Sequence, residues 1–311
     1  MEKMERKNGM LSELGYQRSL RCNRCGFCLS VCPTYQNSHK EIQSARGRVH
    51  LLRMLEHGKF DWRNDPGISA EFNNCLLCGA CYANCPAGAE THEMMAEARD
   101  RFMSVKGFSL FHKFMYRGML SHQKRLERCS IFLRAYKFSQ AGKVFEVKAI
   151  QKAFAKLRFL ESYLPEISKP ARVELKEEYL PQGKPLFKVA YFLGCATNVF
   201  YPSVAKALVG HLVASGVQVV IPRVDCCGGP HYSAGDRDLA RRLARANLAA
   251  MEAHNADYIV SDCATCAHTL HEYSVLFEQD DPIQERLAAL KTKLFDINTF
   301  LDQVCFRFQL Y

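Results

Sequence analysis

The chain has 311 residues, 48% hydrophobic and 24% charged, which permits two or three modest domains with real cores. Its fifteen cysteines would suit a disulfide scaffold in a small secreted protein, but the length and the opening MEKMERKNGM, with no apolar stretch to serve as a signal peptide, argue against that reading. No window approaches the run of about eighteen apolar residues that a membrane span needs, and the formal net charge of +10 is concentrated in one belt. The thiols are therefore expected to be reduced metal ligands in a cytoplasmic protein, with any membrane association peripheral.

The first element is a cysteine run, Cys22, Cys25, Cys28 and Cys32 followed by Pro33, which returns fifty-three residues later as Cys75, Cys78, Cys81, Cys85 and Pro86. Each reads C-x-x-C-x-x-C-x-x-x-C-P. In bacterial ferredoxins three such thiolates hold three corners of one [4Fe-4S] cube and the fourth reaches across to the other. The spacing predicts one cluster on Cys22, Cys25, Cys28 and Cys85, and a second on Cys75, Cys78, Cys81 and Cys32. Gly26 and Gly79 suit the close approach of loop backbone to cluster. A pair of four-cysteine zinc sites is the alternative; it explains two C-x-x-C doublets per site but not a third thiolate at the same spacing, repeated in register.

Between the runs, Ser44 is placed to cap a helix that presents Val49, Leu52 and Leu55 on one face and stops at Gly58. Asp65, Pro66 and Gly67 read as a turn. A second helix is expected from Thr91 towards Arg101 through Met94, Met95 and Ala98. These pieces make a mostly helical dicluster ferredoxin-like domain over residues 1–100.

Residues 101–185 read as a basic helical spacer and linker. From Arg99 to Arg172 there are 17 Lys and Arg against 5 Asp and Glu, a local +12, and the rest of the chain is slightly acidic. Aromatic and aliphatic residues such as Phe111, Phe114, Met115, Ile131, Phe132 and Tyr136 sit among the charges, as two or three amphipathic helices with a packing surface would have them. Cys129 reads as a small buried hydrophobe. The belt suits an acidic partner subunit or an anionic membrane surface, or is simply the solvated face of its helices; no nucleic-acid motif accompanies it, so no nucleic acid is expected. Pro165, Pro170, Pro181 and Pro185 mark a linker.

From residue 186 the pattern becomes short apolar runs alternating with helices: Val189 to Leu193, Ser203 to Ser215, Val217 to Ile221, Asp236 to His254, Tyr258 to Val260. This predicts an α/β domain with a short parallel sheet over 186–311, making the chain α+β overall. A cysteine follows each strand at the carboxyl edge, where open α/β sheets bind ligands: Cys195, the pair Cys226 and Cys227 before Gly228, and Cys263 with Cys266. Five thiols exceed what one tetrahedral ion needs, and adjacent cysteines suit a multi-iron cluster, with zinc or an unmetallated thiol cluster as the alternative. His231, His268 and His271 lie near in sequence and read as ordinary histidines before acid-base groups or ligands.

The single Cys, Cys-Cys-Gly and C-x-x-C pieces resemble the cysteine-rich CCG domain of heterodisulfide reductases and of 2-hydroxyacid oxidase iron-sulfur subunits. The order of two ferredoxin runs, basic spacer and CCG domain resembles the iron-sulfur subunits of glycolate oxidase and D-lactate dehydrogenase, with CGFCLSVCPTYQ, SARGRV and CLLCGACYANCPAG closest to the glycolate type. The resemblance spans about Leu20 to Leu301. It implies a third iron-sulfur cluster on Cys195, Cys226, Cys227, Cys263 and Cys266. Such relatives continue into a second CCG repeat that is expected to be lacking here, with LFDINTFL resembling the linker into it and Cys305 a lone thiol beyond.

Paired cubanes pass single electrons, whereas removing hydride from a 2-hydroxy acid needs a flavin or nicotinamide. No G-x-G-x-x-G run follows a strand here, and no P-loop is present. The expected function is therefore the non-flavin electron-transfer subunit of an oxidoreductase, taking electrons from an FAD-bearing glycolate or D-lactate dehydrogenase partner and passing them to a quinone or other acceptor, with no catalytic residue assigned. Alternatives are a heterodisulfide-reductase-like subunit, an anaerobic glycerol-3-phosphate dehydrogenase iron-sulfur subunit, and a non-redox metal-binding assembly module.

Overall fold

A computed structural model of the chain describes residues 10–63, 65–138 and 168–305. It divides into two compact units, one of Met1–Leu110 with Pro230–Leu239, the other of Phe111–Gly229 with Ala240–Tyr311.

The first unit is helical. Helix α1 (Glu13–Leu20) starts at Ser12, whose hydroxyl accepts from the Gly15 amide at 3.1 Å. Helix α2 (Ala45–Glu56) starts at Ser44 in the same way, with Gly47 N donating at 3.0 Å, and buries Val49, Leu52 and Leu55 as their spacing predicts. The expected turn at Asp65 to Gly67 is instead the entry to α3 (Pro66–Asn73): Asp65 accepts from Gly67 N at 2.8 Å, and Pro66 sits at the first helical position, where no backbone bond is lost. Helix α4 (Thr91–Lys106) runs past Arg101 to Gly107 and buries Met94, Met95, Ala98 and Phe102 against Leu52, Trp62, Ile68 and Phe72. Each such side chain contributes about 1.5–3 kcal/mol by leaving water.

The segment Pro230–Leu239, distant in sequence, completes this unit. Tyr232 Oη donates to Glu93 at 2.7 Å and Arg99 Nη1 donates to the Ser233 carbonyl at 2.6 Å. Gly235, at φ 79°, lies so close to α4 that a Cβ there would come within 2.7 Å of the Arg99 backbone.

The second unit is built on a five-stranded sheet ordered β1-β3-β2-β4-β5: β1 (Glu178–Tyr179), β2 (Lys188–Tyr191), β3 (Gln218–Val220), β4 (Tyr258–Ser261) and β5 (Leu294–Asp296). Val189 pairs with Val219, Ala190 with Ile259, and Val260 with Phe295, all parallel, while β1 runs antiparallel to β3. The sheet is thus mixed where a parallel one was expected. The extra strands come from stretches read as linkers: β1 from the proline-punctuated segment and β5 from LFDINTFL, whose Phe300 is fully buried. Both are too short to show the alternation that marks a strand. Helices α6 (Pro202–Ala214) and α7 (Arg237–Glu252) follow β2 and β3 much as expected, and α8 (Ala264–His271) and α9 (Ile283–Lys293), which the sequence pattern did not disclose, lie between β4 and β5.

The spacer supplies a π-helical stretch, Lys113–Leu120, and helix α5 (Gln123–Phe138). Phe111, Phe114 and Phe132 are exposed among the described residues and Cys129 is half-buried, so the stripe is a surface rather than a core face. The side chain of Tyr136 and the remainder of the spacer, residues 139–167, lie outside the described residues.

Candidate iron-sulfur centres

In the first unit both cysteine runs fold into the same loop. Arg24 (φ 57°) and Leu77 (φ 53°) take the left-handed conformation two residues after the first cysteine, and Gly26 (φ 94°) and Gly79 (φ 72°) take it four residues after. Such alternation turns successive amides inward into an anion-binding concavity. Glycine does this freely, but arginine and leucine in that region cost about 1–2 kcal/mol each, which the loops accept at matched positions. The two glycines are legible in sequence; Arg24 and Leu77 carry no signal for a turn.

Of these thiols, Cys32 sits where sulfur is held as thiolate. Cys32 is buried at the start of the helical turn Pro33–Ser38. Burial pushes its thiol up, but the Thr34 hydroxyl 3.3 Å away, the Tyr35 and Thr34 amides and the Arg48 charge together hold it below the usual range. Cys85 accepts from the Ala89 amide at 3.4 Å. Burial, then the neighbouring sulfur of Cys75, pushes Cys81 up to about 12, and burial also raises Cys28 and Cys75. Crowded, partly buried sulfurs that raise one another, ringed by inward amides, are a donor set that fits a cationic cluster core.

Two contacts link the runs. Asn84, beside Cys85, donates through Nδ2 to the Phe27 carbonyl at 2.7 Å, bringing the end of the second run against the first loop. Conversely, the Cys32 sulfur is near enough to Cys75 to raise its pKa.

In the second unit five thiols converge at the carboxyl edge of the sheet. Cys195 follows β2, Cys226 and Cys227 follow β3, and Cys263 and Cys266 follow β4. Their sulfurs lie close enough to shift one another, in the order Cys195, Cys226, Cys227, Cys266, Cys263. Cys226, between Cys195 and Cys227, and Cys266, between Cys227 and Cys263, are pushed up; Cys195, Cys227 and Cys263 are lowered, Cys263 to about 6 by its Cys266 neighbour. Five soft donors so crowded suit a centre of several irons. Gly194 leaves room for it: a Cβ there would stand 3.2 Å from Cys266 Sγ. Gly228, at φ 93°, makes the turn after the cysteine pair.

Buried partners fix this edge. Asn247 Nδ2 donates to the Cys226 carbonyl at 2.9 Å and to Tyr273 Oη at 3.1 Å, and Tyr273 Oη donates to the Cys227 carbonyl at 2.8 Å. Asp262 accepts from Tyr191 Oη at 2.9 Å and Thr197 Oγ1 at 2.7 Å, which steadies the loop into Cys263. Gln123 of α5 donates to the Leu193 carbonyl at 2.8 Å, two residues before Cys195. Sequence reasoning missed Asn247, Tyr273 and Gln123: Asn247 is marked solely as a polar residue on the buried face of α7, and Tyr273 and Gln123 carry no local signal.

Among the described residues no group of three or more His, Cys, Asp or Glu side chains is arranged around a single metal ion, a geometry distinct from thiolates spread over several irons. His231 is buried within the first unit, and His268 is exposed on α8.

Comparison with known proteins accords with these two centres. A 4Fe-4S dicluster domain matches residues 18–89, and a cysteine-rich domain matches residues 189–271. The chain is 30% identical over 295 residues, 92% of its length and 66% of the relative's, to the Bacillus subtilis protein named probable glycolate oxidase iron-sulfur subunit. It is 27% identical over 268 residues, 83% of its length and 59% of the relative's, to the glycolate oxidase iron-sulfur subunit of Escherichia coli. It is 33% identical over 118 residues, 37% of its length and 48% of the relative's, to lactate utilization protein A of Exiguobacterium. The chain thus spans less than two thirds of the length of these relatives. No solved structure matches it. The chain thus joins a 4Fe-4S dicluster domain to a cysteine-rich domain, and over most of its length it is similar to glycolate oxidase iron-sulfur subunits.

Proposed function

We propose that this chain is the electron-transfer subunit of a flavin-dependent 2-hydroxyacid dehydrogenase, of the glycolate or D-lactate type, receiving electrons from an FAD-bearing partner and delivering them to a quinone or other acceptor. In this reading Cys22, Cys25, Cys28 and Cys85 hold one [4Fe-4S] cluster and Cys75, Cys78, Cys81 and Cys32 the other. The Asn84–Phe27 bond and the closeness of Cys32 to Cys75 support that exchange of fourth ligands. Cys195, Cys226, Cys227, Cys263 and Cys266 hold a third centre. Bound clusters supply one-electron transfer at potentials tuned by charge, hydrogen bonding and exposure.

The chain's own residues set the conditions for it. The left-handed residues recur at matched positions in the two loops, the Leu77 amide reaches the Cys75 sulfur, and the apolar core of Leu52, Phe72, Met94 and Phe102 backs the cluster loops. The exposed basic face of the spacer, with Lys124, Arg125 and Arg128, suits an acidic partner surface or an anionic membrane surface. No described helix is long and apolar enough to cross a membrane. The matched left-handed residues of the two loops carry the reading most directly, since a doubled anion-binding turn around doubled thiols is what a two-cluster wire requires.

The test is anaerobic mixing of the chain with a glycolate- or D-lactate-reduced flavoprotein partner while the visible cluster absorbance is followed. Bleaching that depends on both substrate and flavoprotein supports the reading. Bleaching by reductant alone, reversed by disulfides, would point to heterodisulfide-type chemistry instead.

A further inference from the structure

Among the described residues of the first unit, two arginines are buried without a carboxylate partner. Arg48 is 1% exposed: Nε donates to the Glu71 carbonyl and Nη1 to Thr34 Oγ1, both at 3.0 Å, and Nη2 has no hydrogen-bond partner. The Glu71 carboxylate accepts from Gln43 Nε2 at 3.4 Å and forms no ion pair with it. Arg99 is 7% exposed and donates only to carbonyls, those of Phe72, Asn73, Cys75 and Ser233. A buried guanidinium facing only neutral groups is costly unless an anion compensates it. Cys32 and the second run lie beside these charges: Arg48 Nη1 is bonded to the Thr34 oxygen that stands 3.3 Å from the Cys32 sulfur, and Arg99 Nη2 is bonded to the Cys75 carbonyl.

The first run is less deeply served. Arg46, near Cys28, is neutralised by Glu41 at 2.6 Å; Arg53 donates to the Ser19 and Cys22 carbonyls and leaves its Nε unpartnered, but its side chain is only half-buried where Arg48 is fully buried. The relay is also one-sided. Arg48 donates to the Thr34 oxygen, leaving that hydroxyl's one proton for the Gln43 carbonyl at 2.6 Å or the Cys32 sulfur at 3.3 Å.

We propose that Arg48, seconded by Arg99, raises the reduction potential of the cluster on Cys75, Cys78, Cys81 and Cys32 above that of its neighbour, so that the first electron to enter the dicluster unit rests there. Added negative charge on reduction is favoured beside a fully buried cation, and less so where the nearest cation is already paired or half-exposed. The inference rests on the cluster assignment above. It makes Arg48 a positioning residue for charge rather than a ligand.

The experiment is an anaerobic redox titration of the iron-loaded full chain, followed by electron paramagnetic resonance, for wild type, Arg48→Gln, Arg48→Lys and Thr34→Val. Two midpoints are expected. Arg48→Gln lowers the upper one, so that its reduced-to-oxidised ratio at fixed poise falls at least about tenfold, about 59 mV for one electron, and leaves the lower in place. Arg48→Lys retains most of the upper potential, and Thr34→Val lowers it by less than Arg48→Gln. The proposal is overturned by equal loss in Arg48→Lys and Arg48→Gln, which would mark a helix-capping role, by movement of the lower midpoint instead, or by no shift at full iron content. Should Arg48→Gln fail to hold iron, an unmoved upper midpoint in Thr34→Val overturns it equally. A wild-type chain that takes up no iron would defeat the cluster assignment, not this ordering of potentials.

Discussion

Tyr273→Phe isolates what one hydroxyl does for the cysteine-rich unit. The ring is 1% exposed and a phenylalanine ring fills the same space, so packing is preserved. The hydroxyl donates to the Cys227 carbonyl at 2.8 Å and accepts from Asn247 at 3.1 Å. Asn247 keeps its bond to the Cys226 carbonyl, but the Cys227 carbonyl loses this donor. A net hydrogen bond of about 1 kcal/mol plus a stranded buried acceptor of about 1–2 kcal/mol gives a loss of about 2–3 kcal/mol. Hydrogen exchange of the strand amides reads this unit separately from the other. Protection at Val189, Val219 and Ile259 is expected to fall about 30–150-fold, with Leu52 of α2 unchanged. A fall of less than about threefold would refute the claim that the hydroxyl supports the cysteine pair.

Other outcomes follow from single positions. Gly235→Ala puts a Cβ within 2.7 Å of the Arg99 backbone at φ 79°, so it is expected to cost more than about 1 kcal/mol and to raise proteolytic cleavage around residue 235. Gly210→Ala, mid-helix in α6 with nothing within 4 Å, is expected to stabilise by about 0.5–1 kcal/mol in the same exchange assay. Asp65→Ala removes the acceptor of the Gly67 amide and is expected to cost about 1 kcal/mol, seen as faster exchange in α3. The Thr299 hydroxyl, with the Thr299 and Asn298 amides, holds the Asp296 carboxyl below its usual range. A depressed folded pKa means this stabilisation is complete above the unfolded value of about 3.9 and is lost as pH falls through the folded one. Acid unfolding of Asp296→Asn is therefore expected to depend less on pH in that window.

What was legible in the sequence was whatever chemistry forces into a pattern. Thiolate spacing disclosed both cluster runs and the five edge cysteines, and the Ser44 cap with Val49, Leu52 and Leu55 disclosed α2. Asp65-Pro66-Gly67 was misread because the same residues serve a turn and a helix start, and only the apolar Ile68 and Phe72 beyond them decide the matter. β1 and β5 were hidden by brevity, since strands of two or three residues owe their existence to neighbours. Least legible were long-range partners: nothing local says that Arg99 reaches Ser233, or that Tyr273 holds the Cys227 carbonyl.

The central claim, that this chain is a two-cluster electron carrier with a further cysteine-bound centre, is tested most directly by anaerobic purification with iron, sulfide and zinc analysis beside electron paramagnetic resonance. The account predicts about twelve irons per chain with matching sulfide, about eight of them in the two ferredoxin-type cubanes. Stoichiometric zinc in a colourless, iron-free protein would contradict it.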